Sequence, residues 1–141
     1  MAKMEREIRL DAAAARLKEA GLRPTRQRVE LARLLFTGMD RHVTAESLAD
    51  ESARAGVKVS LATVYNTLHQ FQSAGLLRQV VVDASRSYFD TNTGDHQHFF
   101  IENEGTLIDI PGEEISVSGV PAAPPGLAVD RVDVVVRVRR V

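Results

Sequence analysis

The stretch that decides the fold is residues 60–74, SLATVYNTLHQFQSA. Ser60 is a residue type that caps helix N-termini, and Gly75 follows where a glycine often stops a helix. Between them, apolar residues recur at i, i+3, i+7 and i+10, which predicts a helix with one face on a core. These residues are Leu61, Val64, Leu68 and Phe71.

The opposite face of this helix carries small and hydrogen-bonding side chains and no acid. Its members are Ala62, Thr63, Tyr65, Asn66, His69 and Ser73. A solvent face normally carries Glu and Lys, so an acid-free face suits a recognition helix in a DNA major groove. There, Asn bonds adenine, and Tyr, Thr or Ala contacts thymine methyl groups. The alternative is a face that meets a protein partner or is simply uncharged.

Three patterns before this stretch also predict helices. Residues 5–20 are Ala-rich with apolar residues near one face, and Pro24 prevents this helix from continuing. Thr25 is a favourable N-cap for a second helix. Thr44 caps a third, which we expect to run to Ala55.

Three arginines cluster where the second helix begins: Arg23, Arg26 and Arg28. Cations are poorly placed at a helix N-terminus, because the helix dipole favours them at the other end. A DNA phosphate outside the protein would compensate, so we expect these arginines to contact the backbone of DNA. The alternative is that they are only solvated.

A predicted β-hairpin follows the helices, with strands over residues 76–82 and 87–89. Three helices followed by such a hairpin make a winged helix, in which Arg78 and Arg86 could reach the DNA backbone. We therefore assign residues 1–90 to a DNA-binding domain.

Residues 91–141 are rich in strand patterns. Residues 99–102 and 106–110 alternate about a turn and predict a hairpin. A proline-rich stretch follows, in which we expect loop and one short strand at 115–117. Residues 131–141 alternate again, with four valines on one face.

Three or four strands cannot comfortably close a core of their own, and a second copy would bury the valine face. We therefore predict a homodimer. The predicted fold class is α+β: an N-terminal winged-helix DNA-binding domain, then a small α/β C-terminal domain for dimerisation and sensing, with a hinge around residues 90–98.

Composition narrows the function classes. The chain has 141 residues and no cysteine, which excludes disulfides, thiolate zinc sites and a cysteine nucleophile. No apolar run approaches the ~20 residues of a membrane span, and the charged N-terminus does not resemble a secretory signal, so we expect a cytoplasmic protein without membrane contact. Residues 1–78 carry 13 Lys and Arg against 9 Asp and Glu, whereas residues 79–141 carry 5 against 10. The basic half suits a polyanionic partner.

Two histidines, His96 and His98, stand one residue apart before an apolar run. On a strand they would share a face, because side chains alternate with a period of two. With Asp90 and Asp95 close in sequence, they form half of a plausible metal site. The alternative is a polar start of a strand with solvated histidines.

In four stretches taken in order, the chain resembles the ferric uptake regulator superfamily. They are Leu22-Arg23-Pro24-Thr25-Arg26-Gln27-Arg28, Arg41-His42-Val43-Thr44-Ala45-Glu46, Ser60-Leu61-Ala62-Thr63-Val64-Tyr65-Asn66-Thr67-Leu68 and Asp95-His96-Gln97-His98. Within it, the cysteine-free hairpin, the proline-rich loop and the valine-rich ending are most similar to the iron response regulator branch. Members of that branch control genes of iron and haem metabolism and respond to haem.

The resemblance implies a regulatory metal site suited to Fe²⁺, Mn²⁺ or Zn²⁺. Its ligands would be His42, Asp90, His96, His98 and Asp109. If haem binds instead, His96 and His98 are its expected ligands. The family's paired-cysteine structural zinc site and the Cys-Pro haem motif are both missing from this sequence.

The resemblance also implies that Arg23 enters the minor groove and that Tyr65 and Asn66 contact bases. Asn66 stands where the iron-uptake branch has Arg and resembles the peroxide-sensing branch. The complete set that we expect to contact DNA is Arg23, Thr25, Arg26, Arg28, Ser60, Ala62, Thr63, Tyr65, Asn66, Arg78 and Arg86.

We therefore expect a dimeric transcriptional regulator of iron and haem genes that binds a double-stranded operator and is modulated by haem or a divalent metal at the hinge. One alternative keeps the fold but makes Fe²⁺ or Mn²⁺ a co-repressor, or makes the site a peroxide sensor. A remote alternative is a cupin-like metalloenzyme, because His96, His98 and Glu102 match the His-x-His-x₃-Glu spacing of that fold.

Overall fold

Four helices and two small sheets make up the computed structural model, which describes residues 2–141. The chain divides into two units, Met1–Thr93 and Gly94–Val141. The α+β class is confirmed by this mixture of helices and sheets.

All four α-helices among the described residues lie in the first unit. They are α1 (Ala2–Glu19), α2 (Arg26–Leu35), α3 (Ala45–Arg54) and α4 (Leu61–Ser73). The three predicted N-caps are confirmed, because the hydroxyl oxygens of Thr25, Thr44 and Ser60 each accept a backbone N–H from the first turn of the following helix.

The core of the first unit is built on the inner faces of these helices. Leu17, Leu31, Leu48, Leu68 and Phe71 are fully buried in it.

Leu61 departs from the predicted apolar face of α4. It is 48% exposed, because it is the first residue of the helix and the buried stripe begins one turn later, at Val64.

A three-stranded antiparallel sheet completes the first unit, in the order β1-β3-β2. Its strands are β1 (His42–Val43), β2 (Arg78–Val81) and β3 (Ser87–Asp90). The β2–β3 hairpin is the predicted one. β1 was not predicted, and its register sets His42 opposite Asp90.

The second unit is a single sheet in the order β5-β4-β6. β4 (His96–Ile101) pairs antiparallel with β5 (Thr106–Pro111) and parallel with β6 (Val135–Val138). β4 begins three residues before the predicted strand and so includes both histidines.

Two predictions for the second unit are wrong. Over residues 94–141 there is no α-helix, only a 3-10 turn at Gly112–Glu114, so this unit is not α/β. The expected strand at 115–117 is also absent from the described structure, where the chain after the turn is irregular up to β6. Pro121, Pro124 and Pro125 supply no backbone N–H for a ladder across that stretch.

Across residues 2–141, no helix combines the length and the apolar content that crossing a bilayer requires.

Candidate metal centre and nucleic-acid interface

The paired histidines lie on one face of β4, as the period of a strand predicts. His98 is directly opposite Asp109 on β5. The Asp109 Oδ1 atom is 3.4 Å from His98 Nε2 and 3.6 Å from His96 Nε2. The two rings meet edge to face with centroids 4.6 Å apart. Two ring nitrogens and one carboxylate oxygen thus point at a common position in the second unit.

The backbone orients one of these rings. His96 Nδ1 is 2.8 Å from the Gly94 carbonyl oxygen. A carbonyl only accepts, so Nδ1 carries a proton, and Nε2 is the ring nitrogen on the side of Asp109. Metal-binding histidines in proteins are commonly held in this way by a second hydrogen bond.

The first unit holds a second donor pair. The β1–β3 register places His42 Nε2 3.1 Å from Asp90 Oδ2. Asp90 is fully buried, and its Oδ1 accepts the Asn92 N–H at 2.9 Å. A buried carboxylate is costly unless it is paired, and here the imidazole and the backbone amide provide the pairing.

The donor types fit a divalent first-row metal. The chain offers no cysteine, and imidazole with carboxylate suits Fe²⁺, Mn²⁺ and Zn²⁺. Haem fits less well. His96 and His98 are only 3% and 1% exposed, so neither imidazole is open to the flat face of a porphyrin.

The predicted recognition face lies on the outside of α4. Ala62, Tyr65 and Asn66 are exposed, and Tyr65 retains 52% of its accessible surface. Ser60 caps the helix and donates its hydroxyl to Thr63 Oγ1 at 2.9 Å. The outer turns of α4 therefore present side chains free to meet a ligand.

The arginine cluster divides into two exposed members and one engaged member. Arg23 and Arg26 are exposed. The Arg28 guanidinium donates to Gln70 Oε1 at 3.2 and 3.0 Å and to the Arg23 carbonyl at 3.0 Å. Arg28 therefore ties the start of α2 to α4. Thr25 serves as the cap of α2.

The turn between β2 and β3 is held by hydrogen bonds to the Asp83 carboxylate. Arg86 donates to Asp83 Oδ2 at 2.8 and 2.6 Å, and the backbone N–H groups of Ser85 and Arg86 donate to Asp83 Oδ1 at 2.9 Å. The Arg86 guanidinium and these donors hold the pKa of Asp83 well below its usual range. Arg86 remains at the surface, with its side chain 41% exposed.

Arg78 is not the surface contact that we predicted. It lies in β2 and is only 7% exposed, because its strand position turns the side chain inward rather than toward solvent.

An aromatic stack on α4 was not predicted from the sequence. The His69 ring lies 4.5 Å from Tyr65 and 5.2 Å from Phe89, edge to face with both. His69 is half-buried, and its Nε2 has no hydrogen-bond partner among the described residues. The spacing of Tyr65 and His69, four residues apart, was the available signal. His69 therefore supports Tyr65 instead of lying in a groove.

A family model described as the ferric uptake regulator family matches residues 19–123. That range contains every residue that we assigned to the metal centre and to the nucleic-acid interface.

Two curated relatives show the same relationship. The ferric uptake regulation protein of Pseudomonas aeruginosa is 35% identical over 100 residues, which cover 70% of this chain and 75% of that protein. The peroxide-responsive repressor PerR of Staphylococcus aureus is 33% identical over 103 residues, covering 73% of this chain and 69% of the relative.

Solved structures agree with the fold. The manganese-containing structure of the Pseudomonas aeruginosa ferric uptake regulator matches with a TM-score of 0.67 and 29% identity over 91% of this chain and 97% of the other. The Vibrio cholerae ferric uptake regulator matches with a TM-score of 0.70 and 25% identity over 90% and 98%.

Proposed function

This chain belongs to the ferric uptake regulator family, and we propose that it is a dimeric winged-helix repressor whose operator binding depends on a divalent metal ion. Members of the family are transcriptional regulators, so the chain is a metal-responsive transcription regulator and not an enzyme.

The cupin-like interpretation is therefore wrong. Glu102, its third expected ligand, instead pairs with Arg137 at 2.9 Å on the surface of the second unit.

The observation that carries the metal proposal is the convergence of His96, His98 and Asp109 within the second unit. Two buried imidazoles beside one carboxylate bring together the donor types that a divalent first-row cation prefers. We add His42 and Asp90 to the ligand set on the family resemblance. A bound ion that favours the DNA-binding form of the protein makes a differential contact between two states, which a switch requires. Ion binding and DNA binding would then be thermodynamically linked.

The DNA proposal rests on α4. Its exposed face carries Asn66, which offers both a donor and an acceptor to an adenine edge, and Tyr65 beside it. Arg23 and Arg26 supply exposed cations that could neutralise backbone phosphates. The α2–α3–α4 helices followed by the β2–β3 hairpin have the element order of a winged helix.

The dimer proposal rests on one face of the second unit's sheet. Phe99 and Ile108 are paired in register and remain 36% and 47% exposed. On the other neighbouring strand, β6, Val136 is the residue paired with Phe99. A second copy laid on this face would remove a contiguous apolar surface from water.

The test is an operator selected from random duplex DNA and then titrated with the protein, with separate additions of Mn²⁺, Fe²⁺, Zn²⁺ and haem to metal-free protein. We expect a divalent ion to tighten operator binding tenfold or more, and Asp109→Asn to remove that gain. Asp130→Asn, an exposed acid in the same unit, is the matched control and should keep it. Operator affinity that is indifferent to every ion would refute the metal proposal.

A peroxide-responsive repressor is the second candidate, supported by the 33% identity with the Staphylococcus aureus protein and by Asn66. In that case peroxide would release operator from the Fe²⁺ form and leave the Mn²⁺ form bound.

A response to haem, which the resemblance to the iron response regulator branch implies, stays a prediction. Haem would then weaken operator binding, and His96→Ala with His98→Ala would abolish that effect.

A further inference from the structure

A cleft of about 380 Å³ opens on the outer surface of the first unit, between the start of α3 and the start of α4. Its lining consists of Ala45, Glu46, Leu61, Ala62, Tyr65 and Asn66. The last three belong to the proposed recognition face, so the cleft is continuous with that face. Ala45, Glu46 and Leu61 have no role in the function proposed above.

Leu61 gives the cleft its apolar character. Its side chain is 48% exposed, beside the exposed Ala62 and the half-exposed ring of Tyr65. Burying a Leu side chain is favourable, so leaving one about half exposed forgoes part of that stabilisation. A ligand that covers this patch would recover it.

The charge of the cleft decides which part of DNA can enter it. Glu46 is exposed at its rim, in the first turn of α3. Its carboxylate interacts favourably with the helix dipole at that position. It also repels a phosphate that approaches the cleft. This repulsion disfavours the sugar-phosphate backbone in the cleft and favours a base edge there.

Among the groups that base edges present in the major groove, the 5-methyl of thymine is the apolar one. We propose that this cleft is a thymine-methyl pocket in which the exposed Leu61 contacts the methyl group, which makes Leu61 a specificity-determining residue for the operator. Asn66, which also lines the cleft and is exposed, stays available for a neighbouring adenine. This inference rests on the proposed function, because it requires α4 to enter a major groove.

The experiment uses the full-length, Mn²⁺-loaded protein and its selected operator, in which each thymine is replaced singly by deoxyuridine. That replacement removes one methyl group and keeps the base pair. Burial of one methyl predicts about a fourfold loss of affinity at one thymine in each half-site. In Leu61→Ala, whose side chain no longer reaches the methyl, the same replacement should change affinity by less than about 1.5-fold. Alanine is a strong helix former, so α4 should persist, and circular dichroism checks this.

Val81→Ala is the matched control, since Val81 is an exposed apolar residue of the same unit at 61% exposure but lies in β2. It should keep the full methyl effect. If replacing thymine by deoxyuridine left the affinity unchanged at every position, or had the same effect in Leu61→Ala and wild type, the pocket proposal would be overturned while operator binding stayed intact.

Single methylphosphonate substitutions test whether a backbone phosphate occupies the cleft instead. Tighter binding on neutralising a phosphate next to the cleft would mean that the cleft faces the backbone. Failure to select any operator would instead refute the proposed function itself.

Discussion

The two units of the chain differ in how completely they bury their apolar side chains. Every member of the main hydrophobic cluster among the described residues lies in Met1–Thr93, and Leu68 and Phe71 are fully buried in it. The sheet of Gly94–Val141 buries Phe100 but leaves Phe99, the preceding residue, 36% exposed. The first unit closes its own core, whereas the second leaves apolar side chains exposed on its sheet, which the proposed dimer would cover. The four predictions below probe that contrast.

The largest effect should come from the closed core. Phe71 is fully buried, and Phe71→Ala should cost about 3–5 kcal/mol of unfolding free energy, because truncation leaves a cavity. Phe99→Ala changes the same residue type at a half-open site and should cost less than about 1 kcal/mol in the monomer. Urea denaturation followed by circular dichroism measures both. Equal costs would mean that the second unit is as closed as the first.

Metal should stabilise the second unit selectively. Mn²⁺ at a hundredfold excess over its dissociation constant should add about 2.7 kcal/mol to the folded state. The ligand set is centred on His96, His98 and Asp109, so hydrogen exchange should slow most across residues 94–141 and reverse on chelation. His98→Ala should lose this protection. Uniform slowing in both units of that variant would show that the ion acts elsewhere.

The open face of the sheet should control the association of two copies. Ile108→Glu places a charge on the proposed dimer surface and should weaken the dimer at least tenfold, as measured by sedimentation equilibrium. Val117 has the same 47% exposure as Ile108 but lies in the irregular stretch after the 3-10 turn. Val117→Glu should leave the dimer intact. A dimer that tolerates Ile108→Glu would place the interface on another surface.

The same contrast explains what could be predicted from sequence. Helix caps and a 3.6-residue period specify most of the first unit, so α2, α3 and α4 begin where Thr25, Thr44 and Ser60 predict. Periodicity says less at a helix end, where Leu61 continues the apolar stripe beyond the core. In the second unit, β6 pairs in parallel with a strand far away in sequence, and alternation alone does not select that partner.

The candidate site follows a similar rule. The period of two was sufficient to place His96 and His98 together, because both belong to one strand. Asp109 faces them only through the β4–β5 register, and His42 meets Asp90 through a strand of two residues, too short to leave a pattern. His42 and Asp109 came from the resemblance alone, whereas Asp90 was also suggested by its closeness in sequence to the two histidines. The inward turn of Arg78 likewise depends on how β2 packs, which its charge does not reveal.

The smallest effect is expected at two surface carboxylates, one in each unit. Arg86 lowers the pKa of Asp83, and Arg140 lowers that of Glu104. A carboxyl with a depressed folded-state pKa contributes stability that is fully present above its unfolded pKa, near 4, and is lost as pH falls through the folded value. Both groups are exposed, so global stability should barely change, but the local amide shifts of Ser85 and Gly105 should titrate below pH 4.

Salt should separate the two carboxylates. Asp83 also accepts two backbone N–H groups inside a tight turn, whereas Glu104 depends first on the Arg140 guanidinium, held at 2.5 and 3.1 Å. Ion pairs at the surface are screened by salt, and short backbone hydrogen bonds within a turn are screened much less. Molar salt should therefore return the pKa of Glu104 toward its ordinary value and leave that of Asp83 low. NMR titration of the two carboxyl carbons measures both pKa values at low and high salt. If salt changed the two pKa values equally, the turn that holds Asp83 would be no better preorganised than the surface ion pair of Glu104.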